Sequence, residues 1–353
     1  MTAYIIRRML YTVPLVLGVC LITFFLFEWM FTPRLRAIRM LGEKHVAEER
    51  LQEVIQAHGW DKPLFLNLKA DALGVANQLD LAGLKAKALL LAANAGLQGH
   101  RVVTDTRFSQ HMARLLLFRF GRSEKTNEPI GRKIVNGMVP SLTLMVPIFF
   151  AGLFVSISLA LVVAYFRATY LDLGVVIVCV CFMSVSILVY IIGGQYVLAR
   201  HMKLFPVYGY APGVHSIRFL LLPVLIALLK GLGGDVRFYR TIMLEEVSRD
   251  YVRTARAKGL TERVILFKHV LKNAMIPILT RTVLHIPFLF MGSLLLERFF
   301  GIPGLGNMTI EAIESADFPV LSAMVYLGAL LFALGNLATD ISYTLVDPRV
   351  RLR

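Results

Sequence analysis

Six stretches of the chain are apolar over lengths that suit a bilayer crossing, and polar segments separate them. The first covers about residues 9–31, behind Arg7 and Arg8. The hydrophobic signal breaks up over 32–133. It returns over 138–166, interrupted by Pro140 and Pro147, and again over 173–198 after a very short turn at 167–172. A fourth run opens at Phe219 and heads towards Arg240. Gly231, Gly233 and Gly234 weaken it, and Asp235 and Arg237 end its apolar face. The fifth covers 276–296, with Pro277 at its start and Pro287 inside, and the sixth covers about 319–345. A helix needs about 20 apolar residues to cross the hydrocarbon core. The pattern predicts an all-α polytopic membrane protein with six transmembrane helices.

The charges orient these spans. Arg7, Arg8, Arg167, the island at 245–277 and the tail residues Arg349, Arg351 and Arg353 all fall on one side if there are six spans. The island alone supplies Arg249, Arg253, Arg256, Lys258, Arg263, Lys268 and Lys272. The opposite short loops hold Arg200, Lys203 and Arg218, and the last of them, 299–318, carries Glu311, Glu314 and Asp317 with its Gly and Pro residues. Basic residues in short loops mark the cytoplasmic face, so both termini are expected there. A five-span layout would send the island or the tail outside.

Composition agrees. Of 353 residues 57% are hydrophobic and only 17% charged, against about 25% in soluble domains. The net charge of +15 sits beside apolar runs, which speaks against a nucleic-acid partner. Cys20, Cys179 and Cys181 lie inside apolar runs as packing residues, with no His or carboxylate beside them to complete a metal site. The first run is too long for a signal-peptide core and is expected to remain as a membrane helix.

Residues 32–133 are expected to form a mostly helical extracytoplasmic domain. Leu51, Val54, Ile55 and His58 recur at helical spacing before Gly59, and a second helical stretch covers 84–97 with Lys85 and Lys87. The domain layout is thus 1–31 for the tail and first helix, 32–133 outside, 134–345 for the transmembrane core with a cytoplasmic loop at 241–276, and 346–353 for the tail.

Within the loop, 244–258 suits one helix that Gly259 breaks, and Thr261 suits the cap of the next. That second helix shows Val264, Ile265, Phe267, Val270 and Leu271 as an apolar face. A pair of short amphipathic helices fits a groove on a cytoplasmic partner. It fits an anionic lipid surface equally well.

A resemblance decides between these readings. Asp250 through Gly259, then Lys268-His269 and Asn273-Ala274, resembles the coupling loop of ABC importer permeases of the dipeptide/oligopeptide family, in its first-subunit branch. The likeness continues through Tyr4-Ile-Ile-Arg-Arg-Met, Gly59-Trp-Asp-Lys-Pro63, Phe120-Gly-Arg-Ser123, Phe299-Phe-Gly-Ile-Pro-Gly-Leu-Gly306, Asp317-Phe-Pro-Val320 and the close at Asp340 to Arg349. It implies a type I ABC importer permease fold. It also implies a second homologous permease, two cytoplasmic ATPase subunits and an extracytoplasmic peptide-binding protein as partners, with peptide as substrate. ATP and magnesium would be bound by the partners, and this chain would be a transport subunit with no cofactor or catalytic residue of its own. Consistently, no G-x-x-x-x-G-K-[ST] loop occurs.

The resemblance places ATPase coupling at Arg253, Thr254, Ala255, Arg256, Ala257, Lys258 and Gly259. Of the family's Glu-Ala-Ala…Gly pattern, Gly259 is the firm match, and Lys272 stands where the broader pattern has Pro. The turn after the first span is replaced by Thr32-Pro-Arg-Leu, and about 66–112 has no counterpart. Gln195, His285 and Asn336 are polar groups within apolar runs and candidates for the substrate path. His285 and Asn336 would equally serve as hydrogen bonders between helices. Glu311, Glu314 and Asp317 are candidates for contact with the binding protein, or are ordinary solvated loop residues. Glu28, near the outer end of the first span, is expected at the interface. A stand-alone secondary transporter or channel would be expected to show inverted repeats, and a membrane-anchored enzyme a motif such as H-E-x-x-H or G-x-S-x-G. None is seen.

Overall fold

The computed structural model describes residues 2–30, 32–41, 47–57, 60–61, 64 and 106–346. The helical stretch expected at 84–97, the stop at Gly59 and the tail 347–353 lie outside them. The described elements are helices: α1 (Thr2–Met30), α2 (Pro33–Leu41), α3 (Glu48–Ala57), α4 (Arg107–Leu116), α5 (Ile130–Tyr165), α6 (Tyr170–Ser184), α7 (Ile187–Gly194), α8 (Ser216–Val247), α9 (Asp250–Ala257), α10 (Leu271–Met291), α11 (Leu294–Phe300), α12 (Leu305–Ser315) and α13 (Phe318–Val346). No strand occurs among the described residues.

Five helical stretches are long and apolar enough to cross a membrane: Leu10–Trp29, Ile130–Tyr165, Ser216–Val247, Glu262–Met291 and Phe318–Ser342. The sixth candidate is a pair, Tyr170–Ser184 and Ile187–His201, bent by 89°. The continuous span expected over 173–198 is therefore broken. Val185 and Ser186 are extended, and the Ser186 hydroxyl accepts from Leu188 N to start the next helix. Lys230 closes the break from α8, its Nζ donating to Met183 O at 2.9 Å and Val185 O at 2.7 Å. Backbone groups freed at membrane depth must find such partners, because lipid offers none.

The fourth span also departs from expectation. The three glycines do not weaken α8, which runs unbroken for 32 residues. Gly233 instead lets α6 pass close: a Cβ there would sit 2.6 Å from Cys179 O. The stretch 299–318 is not all loop: it holds the end of α11, a turn at 301–304 and the helix α12, and the fifth span ends at Gly292, not at residue 296.

The chain forms two compact units. The larger comprises residues 1–13, 133–314 and 328–353. One part of its core gathers Ala160, Tyr239, Met243, Val247, Val252, Ile265, Val270 and Ile278. Another gathers Leu144, Ile191, Leu222, Ile226, Phe300 and Ile302. The smaller unit comprises 14–132 and 315–327. There α1 turns Val16, Cys20 and Phe24 inward, one turn apart. Phe24 packs on Phe108 and His111 of α4, with ring centroids 5.3 and 5.4 Å apart. A capping box starts α4: Ser109 N donates to Thr106 Oγ1, and Thr106 N to Ser109 Oγ.

Candidate functional site

The segment singled out by its Gly and its charge is built as a tip on the larger unit. The single helix expected over 244–258 is two. The chain leaves α8 at Ser248, Arg249 is extended, and α9 starts afresh at Asp250. Val252 and Ala255 of α9 are buried, in one cluster with Val247, Ile265, Leu266 and Val270. Arg253, Thr254, Ala257, Lys258 and Gly259 are exposed. Of the seven candidate coupling residues, Ala255 therefore belongs to the core and anchors the others. Gly259 has φ +77°, a conformation that L-residues avoid at a cost of about 1–2 kcal/mol. It turns the chain sharply, and no neighbouring atom lies within 4 Å of the position a Cβ would take.

Beyond the turn, Thr261 is extended and precedes the next helical turn, but its side chain makes no capping bond. Arg256 reaches across instead, donating to Glu262 Oε1 at 2.6 Å and Oε2 at 3.3 Å. This fork braces the two arms of the turn. The wide helical turn Ile265–Val270 then buries Ile265, Leu266 and Val270 and leaves Phe267 exposed. Behind the tip, Arg240 on α8 grips Asp172 of α6 through Nε at 2.6 Å and Nη2 at 2.8 Å. The geometry is an exposed helix seated on a packed core and tied at its C-terminal end to the next arm by Arg256 and Glu262. A push on such a helix moves the helices beneath it rather than bending it away.

The structure does not bring the three path candidates together. His285 lines a cavity of about 200 Å³ with Asp235, Tyr239 and Thr282. Gln195 instead ties loop to helix, its Nε2 donating to Phe299 O at 2.9 Å and Val207 O at 3.1 Å. Asn336 is half-buried on α13 and is not among that cavity's lining. An ion pair joins two of the long apolar helices: Arg281 Nη2 of α10 lies 2.9 Å from Asp235 Oδ1 of α8, and Asp235 lines the same cavity. The Arg281 guanidinium also stacks on Phe238 at 4.3 Å. The pair's signal was present in the sequence, since charged residues at Lys230, Asp235 and Arg281 interrupt apolar runs.

Around α11 and α12 the organising residue is Glu297, which is fully buried. Its Oε1 accepts from Ser141 Oγ at 2.8 Å and Ser293 N at 3.1 Å, and its Oε2 accepts from Asn307 N at 3.0 Å. Ser141 Oγ accepts in turn from Leu305 N at 2.8 Å. Burial pushes the Glu297 carboxyl up, and these donors together with Gly306 N oppose it. One carboxylate thus clamps both short helices to α5. Of the acidic candidates nearby, Glu311 and Glu314 are exposed. Glu314 pairs with Arg298 at 2.7 Å, and Glu311 accepts from Asn307 Nδ2 at 2.8 Å.

Asp317 is not on the surface. It is 3% exposed, takes the Ser123 hydroxyl on Oδ2, and accepts from Glu124 N on Oδ1 at 3.2 Å. It therefore holds the turn at 121–129 to the start of α13 within the smaller unit and offers nothing to a partner. Glu28, near the end of the first span, pairs with Arg36 at 3.1 Å and Arg107 at 2.5 Å, its side chain 9% exposed.

Residues 138–352 match the family described as the binding-protein-dependent transport system inner membrane component. The chain belongs to this family, and is a multi-pass inner-membrane permease subunit of an ABC importer. Among its relatives, the oligopeptide transport system permease protein AppB of Bacillus subtilis is 26% identical over 99% of both chains. The glutathione transport system permease protein GsiC of Salmonella typhimurium is 30% identical over 77% of this chain and 88% of its own. The likeness to AppB takes in both compact units.

Proposed function

We propose that this chain is one of two homologous permeases of a peptide importer, and that its α9 tip is the point where ATP-driven motion enters it. The observation that carries the reading is α9 with its turn, Asp250–Gly259, whose Val252 and Ala255 are anchored in the core while Arg253, Thr254, Ala257 and Lys258 are exposed. Peptide as the cargo is supported by the oligopeptide and glutathione permeases among the relatives. In this reading the tip and both termini face the cytoplasm. Two ATPase subunits bind ATP and magnesium, and one of them receives the tip in a cleft. A binding protein delivers peptide from the other side, and the exposed Glu311 and Glu314 lie on the face it approaches.

Closure of the ATPases displaces α9, and the packed cluster around Met243 and Val270 passes the displacement to α8 and α10. The spans then exchange inward- and outward-open arrangements. Peptide passes between these spans and those of the second permease, where His285 with Asp235, and Asn336 on its own helix, supply polar contacts.

Gly259→Trp tests the coupling. It places bulk on the exposed side of the tip, where no neighbouring atom lies within 4 Å of the Cβ position, and it strains the turn at φ +77°. The complex is expected to assemble and hydrolyse ATP while peptide uptake is lost. Normal uptake by this variant contradicts the proposal.

A further inference from the structure

The smaller unit contains a cavity of about 600 Å³ that the transport reading does not use. Its lining mixes aromatic rings with buried charge. Arg36 is the centre: its side chain is 8% exposed, and its guanidinium lies 4.9 Å from the Phe318 ring and 5.8 Å from the Trp60 ring. Glu28 is shared between Arg36 and Arg107, so one carboxylate answers two guanidinium groups. Arg36 Nη2 donates to Phe27 O at 3.2 Å, but its buried Nε has no hydrogen-bond partner. His111, which also lines the cavity, has a buried Nε2 without a partner. Burial, with Arg114 and Arg36 nearby, pushes His111 down to about 4, so the ring is neutral near pH 7 and able to donate or accept. The lining sets the buried Arg36 and two exposed arginines, Arg114 and Arg122, the latter donating to Asn127 O at 3.2 Å, against two carboxylates, Glu28 and Glu124.

Buried polar atoms without partners are costly and few in native proteins, and a ligand that satisfies them recovers that cost. A surplus of guanidinium calls for an anion, and a planar fork suits a carboxylate. The rings of Phe24, Phe27, Trp60 and Phe318 call for an apolar body beside it.

We propose that this cavity binds a small carboxylate bearing an apolar or aromatic group, with the carboxylate on Arg36 and His111 and the apolar group against Trp60 and Phe318. The site is independent of the peptide reading, and stands or falls without transport being measured.

The chain has two tryptophans, Trp29 and Trp60, so Trp29→Phe leaves Trp60 as the only indole, beside Arg36. The full-length variant in neutral-lipid nanodiscs is titrated with N-acetylphenylalanine and, separately, with its uncharged amide. The acid is expected to change Trp60 emission saturably and the amide not to. His111→Leu is expected to weaken the acid by about tenfold, as for one lost hydrogen bond to a charged group. Arg36→Lys, which keeps the charge but not the fork, is expected to weaken it further. Because Arg36 is buried in an ion pair, the His111 variant decides if the Arg36 variant misfolds. No response to the acid, or an equal response to the amide, overturns the proposal. A response to anionic phosphatidylglycerol nanodiscs that the acid does not displace would mark a lipid site and overturn it as well.

Discussion

Glu124 allows a prediction whose size follows from the structure. Its carboxyl is largely buried and lies near that of Asp317, and these two effects outweigh Arg36 and raise it from 4.5 to about 7. A carboxyl whose folded-state value is raised binds its proton more tightly folded than unfolded. Its contribution is therefore fully favourable below about pH 4.5 and is lost as pH rises through 7. The full loss is about 3 kcal/mol, since each unit is worth about 1.4 kcal/mol. Glu124→Gln carries no such charge and removes the dependence.

The turn that Glu124 sits in is fastened by Ser123 N to Glu128 O at 2.9 Å and Ile130 N to Gly121 O at 3.1 Å. Those amides are the reporters. Hydrogen exchange of residues 121–132, corrected for intrinsic rate, is expected to lose protection in the wild type between pH 5 and pH 8, by at most about 300-fold. The Gln variant should stay flat over the same range. Equal pH dependence in the two proteins would refute the assignment of the raised group to Glu124, and flat protection in both would refute the burial argument itself.

Two further outcomes follow from packing. Glu297→Ala leaves the Ser141 hydroxyl and the Ser293 and Asn307 amides buried without their acceptor, at about 1–3 kcal/mol each. A thermal shift of the purified complex should show a large loss, and Glu297→Gln should recover part of it. An unchanged melting temperature for the Ala variant counts against the clamp. Gly233→Val forces a methyl against the Cys179 carbonyl and should cost about 1–3 kcal/mol by overpacking, read the same way. Gly234→Val, where no atom lies within 4 Å of a Cβ position, should cost less, and equal losses would contradict the close approach.

The features legible in the sequence were those that depend on local pattern. Run lengths located the long helices, and Gly259 marked the turn because glycine takes positive φ without the penalty a Cβ brings. The break after Ser184 was hidden because residues 173–198 stay apolar through it and contain no Pro, while the residue that satisfies the break, Lys230, is distant in sequence. Residues 299–318 looked like a loop because Gly301, Pro303, Gly304 and Gly306 are turn formers. In the structure they cap and pack two short helices around Glu297. Asp317 looked exposed because its partner Ser123 is far along the chain. Asp235 and Arg281 were visible as charges in apolar runs, but only the packing of α8 against α10 shows that they pair.

The account rests on the α9 tip facing the ATPase subunits. The most direct test puts a single cysteine at position 258, with Cys20, Cys179 and Cys181 replaced by alanine, and treats sealed vesicles of each orientation with a membrane-impermeant maleimide. The account predicts labelling only when the cytoplasmic face is outward, and loss of that labelling once the ATPase subunits are bound. Labelling from the opposite face, or labelling that the ATPases leave unchanged, would contradict it.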